Sequence, residues 1–119
     1  MRNYTPGRDL FALHADICKT LASPARLRII EALREGELSV GEIGEAVGAR
    51  KANVSQHLAV MRQRGIIEGR RRGTSVYYHI ANPKVVQACE LMREVLLEQM
   101  AAAAKLLAGA HRRGKIRAG

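Results

Sequence analysis

Polar and basic side chains recur between Lys51 and Arg64 at a spacing that suits hydrogen bonding to another molecule. Val54, Leu58 and Met61 keep the period of one apolar helix face, so the other positions are expected to form an exposed face. Amide, hydroxyl and cationic groups on that face are the groups that hydrogen-bond to base edges and phosphates. The predicted base readers are Lys51, Asn53, Ser55 and Gln56, and the predicted phosphate or flanking contacts are His57 and Arg62. The alternative is an ordinary helical hairpin with a solvated polar face.

Three consecutive arginines follow this helix and are bounded by glycines. β-Branched and aromatic residues on both sides of them predict a β-hairpin over residues 66–80, with the arginines at its tip. Guanidinium groups bind phosphate strongly and are drawn into narrow minor grooves, so Arg70, Arg71 and Arg72 are predicted to contact DNA. The alternative is a solvated turn that merely carries charge.

Cys18 and Cys89 are the only thiols of the chain. Cysteines of an intracellular protein are kept reduced, which favours a reactive or metal-binding role over a structural disulfide. One interpretation is a reversible sulfur link, which requires both thiolates within disulfide range. A second is a metal site in which His14 and Cys18, four residues apart on one helix face, are joined by Cys89. A third is that both cysteines are small core residues with no sensing role.

The polar helix must be positioned by the elements around it. Ser39 and Glu42 have the spacing of a capping box, and the apolar residues that follow predict a short helix ending at Gly48. Two short helices around a glycine turn, the second exposing polar side chains, indicate a helix-turn-helix. The arginine-tipped hairpin after it indicates a wing.

Three further helices are predicted on either side of this unit. The first extends from Arg8 to Leu21, and Ser23-Pro24 begins a second that stops at Gly36. The last helix is predicted from Lys84 to about Leu107. It carries apolar residues close to an a/d seam, namely Val85, Cys89, Met92, Leu96 and Met100.

This seam predicts a homodimer, because one small winged domain cannot cover both the seam and the first helix. A two-fold dimer would present two recognition helices to successive major grooves and would match an inverted-repeat operator in double-stranded DNA. The alternative is that the seam packs inside its own monomer.

The whole chain has 119 residues and a formal net charge of +9, which favours a polyanionic partner. Seven Lys and Arg side chains lie between Arg50 and Arg72 against Glu68 alone. We expect one domain over residues 1–119, mainly α with a small β-hairpin and five helices. Its ordered core is predicted over residues 8–107, followed by a flexible basic tail over residues 108–119.

Composition and motifs also weigh against other classes of protein. No apolar run approaches the roughly 18 to 20 residues of a membrane span, and the first ten residues lack the apolar core of a signal peptide, so a cytoplasmic protein is expected. Histidines could serve as bases, but no nucleophile elbow, phosphate loop or paired acidic cluster accompanies them, so neither catalysis nor a cofactor is predicted. A nonspecific architectural DNA binder is the nearer rival, which a fixed palindromic footprint would distinguish.

Taken in order, the segments SPARLRII, NVSQHLAVMRQRGII and GTSVYYHI closely resemble the ArsR/SmtB family of winged-helix repressors. The likeness extends from Leu10 to Leu97. It implies a homodimer joined by its first and last helices, which represses a promoter until an inducer loosens binding. It does not name the inducer.

The familiar metal sites of that family are absent from this sequence. The arsenite-type site needs thiolates where this chain has Ser39 and Gly41. The zinc-type site needs Asp and His at the start of the last helix, where this chain has Asn82, Lys84 and Gln87. Some relatives sense persulfide or oxidant by linking an early-helix cysteine to one in the last helix, although here the first cysteine lies one helix earlier. The resemblance therefore implies thiol sensing through the pair Cys18 and Cys89. The residues themselves leave a metal site of His14, Cys18 and Cys89 as the alternative.

Overall fold

The computed structural model describes the backbone of residues 9–118 and the side chains of residues 9–113. This part of the chain contains five helices and three short strands. In chain order they are α1 Leu10–Leu21, α2 Pro24–Ala32, β1 Leu38–Ser39, α3 Val40–Val47, α4 Lys51–Gln63, β2 Ile67–Arg72, β3 Ser75–Ile80 and α5 Lys84–Ala118. The predicted fold class is confirmed, while the helix start predicted at Arg8 lies outside the described residues.

Serine side chains begin two of the helices, as predicted. Ser23 Oγ accepts a hydrogen bond from the backbone N–H of Arg26 at 3.3 Å, and Pro24 occupies the first turn of α2. Ser39 Oγ accepts from the N–H of Glu42 at 3.2 Å, while the Glu42 carboxylate accepts from the N–H of Ser39 at 2.9 Å. This capping box satisfies two N–H groups that would otherwise lack partners and places the start of α3.

The three strands form one antiparallel sheet in the order β1-β3-β2. β2 and β3 are the predicted hairpin, with Ile67 opposite Ile80 at its base and Arg72 opposite Ser75 at its tip. β1 is an additional strand, in which Leu38 pairs with Tyr78. Its two residues are too few to show a period in the sequence, so only its pairing with β3 identifies it as a strand.

The hydrophobic core lies between α2, α3, α4 and the base of the hairpin. Its buried members are Ile29, Ile30, Leu33, Ile43, Val54, Leu58, Met61, Ile66 and Ile67. The three apolar residues predicted for one face of α4 are among them, each at most 2% exposed. Burial of this stripe holds α4 in place and turns its polar face to the solvent.

The chain divides into two compact units, one up to Val86 and one from Gln87. The winged helix-turn-helix lies in the first unit, and the second contains the remainder of α5. This helix continues to Ala118 and not, as predicted, only to about Leu107. Its last turns are rich in Ala, Leu, Lys and Arg, which are strong helix formers, so glycine at a cost of about 1 kcal/mol does not end it.

Candidate nucleic-acid interface

The turn between α3 and α4 sets the angle of the polar helix. Gly48 has φ +69°, a left-handed conformation that ends α3. The backbone N–H of Ala49 then donates to the carbonyl of Gly44 at 2.9 Å. A Cβ atom on Gly44 would lie only 2.8 Å from the Ala49 carbonyl oxygen, so the two helices approach closely because residue 44 has no side chain.

The exposed face of α4 carries the side chains predicted to read bases. Lys51, Asn53, Ser55 and Gln56 are all exposed, as is Arg62 near the end of the helix. Gln56 lies two residues beyond buried Val54 and two before buried Leu58, so it is directed away from the core. Gln63, which the sequence analysis did not select, is exposed seven residues later on the same face. The signal that could have identified it is the spacing of two helical turns.

His57 is only half-exposed and is held by a residue of another helix. Arg26 Nε donates to His57 Nδ1 at 3.2 Å, and Arg26 Nη1 donates to the Thr20 carbonyl at 3.1 Å. Because Nδ1 accepts this hydrogen bond, the imidazole carries its proton on Nε2. The predicted phosphate contact by His57 would therefore use Nε2, and Arg26 joins the end of α1 to the recognition helix.

Cationic groups surround the start and end of α4. Its N-cap residue Arg50 is exposed, and no acidic residue occurs in the first turn, so the positive end of the helix dipole is uncompensated. Arg50 belongs to the basic segment but was not among the predicted DNA contacts. Arg64, just after the helix, lies 3.5 Å from the Asp16 carboxylate and is thus partly neutralised.

The wing arginines occupy two faces of β2. Arg70 Nη2 lies 2.8 Å from a Glu37 carboxylate oxygen, and Arg72 contacts the other oxygen of the same carboxylate. The Arg72 guanidinium also lies 4.8 Å from the centre of the Tyr77 ring. Arg71 is exposed on the opposite face of the strand. Sequence reasoning predicted one role for all three arginines and missed Glu37.

The two cysteines differ in exposure. Cys18 in α1 is exposed and Cys89 in α5 is buried, and neither sulfur is in a disulfide. Among residues whose side chains are described, no three His, Cys, Asp or Glu side chains lie close enough together to hold a metal ion. No helix in the described part of the chain is both long and apolar enough to cross a membrane.

Comparison with known proteins places this architecture in a family. Residues 23–68 match the family model described as bacterial regulatory protein, arsR family. An uncharacterised helix-turn-helix transcriptional regulator of Mycobacterium tuberculosis, Rv0081, is 43% identical over 88 residues, which cover 73% of this chain and 77% of that protein. The biofilm growth-associated repressor of Xylella fastidiosa is 35% identical over 85 residues, covering 71% of this chain and 75% of that repressor.

Solved structures agree with the sequence matches. The crystal structure of Rv0081 superposes with a TM-score of 0.74 and 38% identity, covering 82% of this chain and 99% of that one. A solution structure from Mycobacterium bovis, described as a homodimeric winged helix-turn-helix DNA-binding domain, gives a TM-score of 0.71 and 32% identity over 81% of this chain and 94% of that one. From these matches and the winged helix-turn-helix itself, the chain belongs to the ArsR family of bacterial regulatory proteins.

Proposed function

We propose that this protein is a homodimeric, sequence-specific DNA-binding repressor. The observation that carries the proposal is the exposed face of α4, where amide, hydroxyl and ammonium groups stand beside an arginine-bearing wing. No Asp or Glu occurs between Arg50 and Ile67, so phosphates meet no acidic side chain along this helix. The Xylella relative that shares the fold is itself named a repressor.

Dimer formation is supported by apolar side chains that the described chain leaves in contact with solvent. Leu10 and Phe11 of α1 are 73% and 75% exposed. On α5, the seam residues Met92, Leu96 and Met100 are 65%, 54% and 65% exposed. Large apolar groups exposed to solvent favour association, and a second copy of the chain is the partner that would also supply a second recognition helix.

The inducer is proposed to act on the two thiols. With hydrogen peroxide, the exposed Cys18 thiolate would be oxidised to a sulfenic acid. Attack of the Cys89 thiolate on that sulfur would then form a disulfide, and both peroxide oxygens would leave as water. Cys18 is the exposed thiol and so the one that a dissolved oxidant reaches first. A structure of the relative HlyU from Vibrio cholerae, 30% identical with a TM-score of 0.65, is described as that of a reduced form.

The DNA-binding proposal is tested by selecting duplexes from a random pool and measuring affinity for the enriched duplex and for a scrambled one. We expect the enriched duplex to bind about 10³-fold or more tightly at physiological salt. Equal affinity for both duplexes would indicate a nonspecific architectural DNA binder and would contradict the proposal.

A further inference from the structure

The carboxylate of Glu37 contacts two of the three wing arginines, one with each oxygen. Oε2 lies 2.8 Å from Arg70 Nη2, and Oε1 contacts Arg72 Nη2. The Glu37 side chain is 18% exposed, whereas those of Arg70 and Arg72 are 63% and 56% exposed. The carboxylate is thus largely withdrawn from water, and the two guanidinium groups are its main stabilising partners.

These contacts cross the whole width of the sheet. Glu37 immediately precedes β1 at one edge, while Arg70 and Arg72 belong to β2 at the other edge. The central strand β3 lies between them and contributes Tyr77, whose ring is 4.8 Å from the Arg72 guanidinium carbon. One carboxylate therefore connects the two edge strands over the central one, which fixes both arginine side chains against the sheet.

Arg71 takes no part in the contacts with Glu37. Alternation along β2 places it on the same face as Ile67, which is buried in the core with Val54 and Leu58 of α4. Arg71 is thus directed to the side of the sheet on which the recognition helix packs. Among the side chains described for residues 9–113, no hydrogen bond, ion pair or ring contact involves its guanidinium.

We propose that Glu37 gives the wing arginines different roles. Arg70 and Arg72 hold the edge strands of the wing together through their contacts with Glu37, which we call the brace, and Arg71 alone supplies the phosphate contact of the wing. If a phosphate drew Arg70 or Arg72 away, the largely buried Glu37 carboxylate would lose one of its two partners, which is costly. Glu37 is a positioning residue in this account. The inference rests on the proposed DNA-binding function for the role of Arg71, but the brace itself exists in the free protein.

The division of roles is tested by the salt dependence of binding to a random-sequence duplex. Loss of one phosphate contact lowers the slope of log K against log salt by about 0.9. We expect that drop for Arg71→Gln and an unchanged slope for Arg70→Gln. Glu37→Gln is expected to steepen the slope by about 0.9 or more, because the released arginines become available to phosphate.

Glu68→Gln is the matched control, since it also removes one negative charge, from the face of β2 that carries Arg70 and Arg72. No ion pair to Glu68 occurs among the side chains described. We expect it to change the slope by much less than Glu37→Gln. Equal steepening by Glu37→Gln and Glu68→Gln, or equal loss of slope in Arg70→Gln and Arg71→Gln, would overturn the division of roles.

The brace is tested separately without DNA by a double-mutant cycle. Glu37→Gln and Arg72→Gln should each lower the melting temperature, and the double variant should lower it by clearly less than the sum of the two. Additive shifts would overturn the brace. A wild-type protein that binds no duplex but shows this coupling would contradict the DNA-binding function and leave the brace standing.

Discussion

At the scale of single residues, we predict that Gln56 of α4 reads a base edge. It is exposed in the N-terminal half of the helix, the half from which recognition helices contact bases, and its amide suits the two hydrogen-bonding positions of adenine. Gln56→Ala should weaken binding to the enriched duplex by about 1 to 3 kcal/mol and change binding to random DNA little. Fluorescence anisotropy titrations on both duplexes measure the difference.

Gln63 provides a matched control for that substitution. It is the same residue type on the same helix face, but it lies two turns further along, at the C-terminal end of α4. Gln63→Ala should leave the preference for the enriched duplex unchanged. Equal losses on both duplexes for Gln56→Ala would assign Gln56 to the DNA backbone instead of a base.

The exposure of individual side chains was predictable where it depends on local spacing. The exposure of Lys51, Ser55 and Gln56 follows from the helical period alone, and the structure agrees. The partners of His57 and Arg70 were not predictable, because they lie 31 and 33 residues away in the chain. Such contacts depend on how elements pack, which a single sequence does not reveal through any periodic pattern.

At the scale of elements, the helix-turn-helix angle depends on Gly44. An alanine there would place its Cβ atom 2.8 Å from the Ala49 carbonyl oxygen, a backbone atom that can move only by opening the turn. Gly44→Ala should therefore lower the free energy of unfolding by about 1 to 3 kcal/mol. It should also weaken DNA binding, because α4 would shift relative to α3. Urea unfolding measures the first effect.

Gly41→Ala is the matched control in the same helix. The nearest atoms to its Cβ atom would belong to the flexible end of Lys51, at 3.3 Å, and the Ser39 hydroxyl would lie at 4.0 Å. Alanine also has the higher helix propensity, so this variant should be neutral or more stable by up to about 1 kcal/mol. Equal destabilisation by both substitutions would show that the close approach of residue 44 to Ala49 is not its cause.

Element boundaries were predicted well where a cap marks them. Ser23 and Ser39 begin their helices as expected, and β2 and β3 form the hairpin predicted over residues 66–80. The end of α5 was predicted too early, at about Leu107. No proline or strong cap follows Leu107, so the sequence does not mark where the helix ends. β1 was missed because two residues form a strand only when a neighbouring strand supplies the hydrogen bonds.

At the scale of the whole molecule, the α5 seam is predicted to hold the dimer together. Leu96→Glu would place an unpaired charge in the interface, at a cost of about 3 kcal/mol or more, which corresponds to at least a ~100-fold weaker dimer. Sedimentation velocity should show monomers while circular dichroism remains that of the folded protein. Gln87→Glu, an exposed substitution off the seam, should remain dimeric. A monomeric wild-type protein at micromolar concentration would contradict the dimer.

The thiol proposal predicts a response that requires both cysteines. Peroxide should release wild-type protein from the enriched duplex, and reductant should restore binding. Cys18→Ser and Cys89→Ser should stay bound under the same treatment. Non-reducing electrophoresis separates a link between subunits, which gives a covalent dimer, from a link within one. An identical response of all three proteins would exclude the pair as the switch.

The central claim is that two copies of the chain present two α4 helices to one operator. A hydroxyl-radical footprint on the enriched duplex tests it most directly, because it shows both the symmetry and the spacing of the contacts. The account predicts two protected patches of inverted sequence, with centres about 10 to 10.5 base pairs, or a multiple of that, apart. A single patch without symmetry, or uniform protection along the duplex, would contradict it.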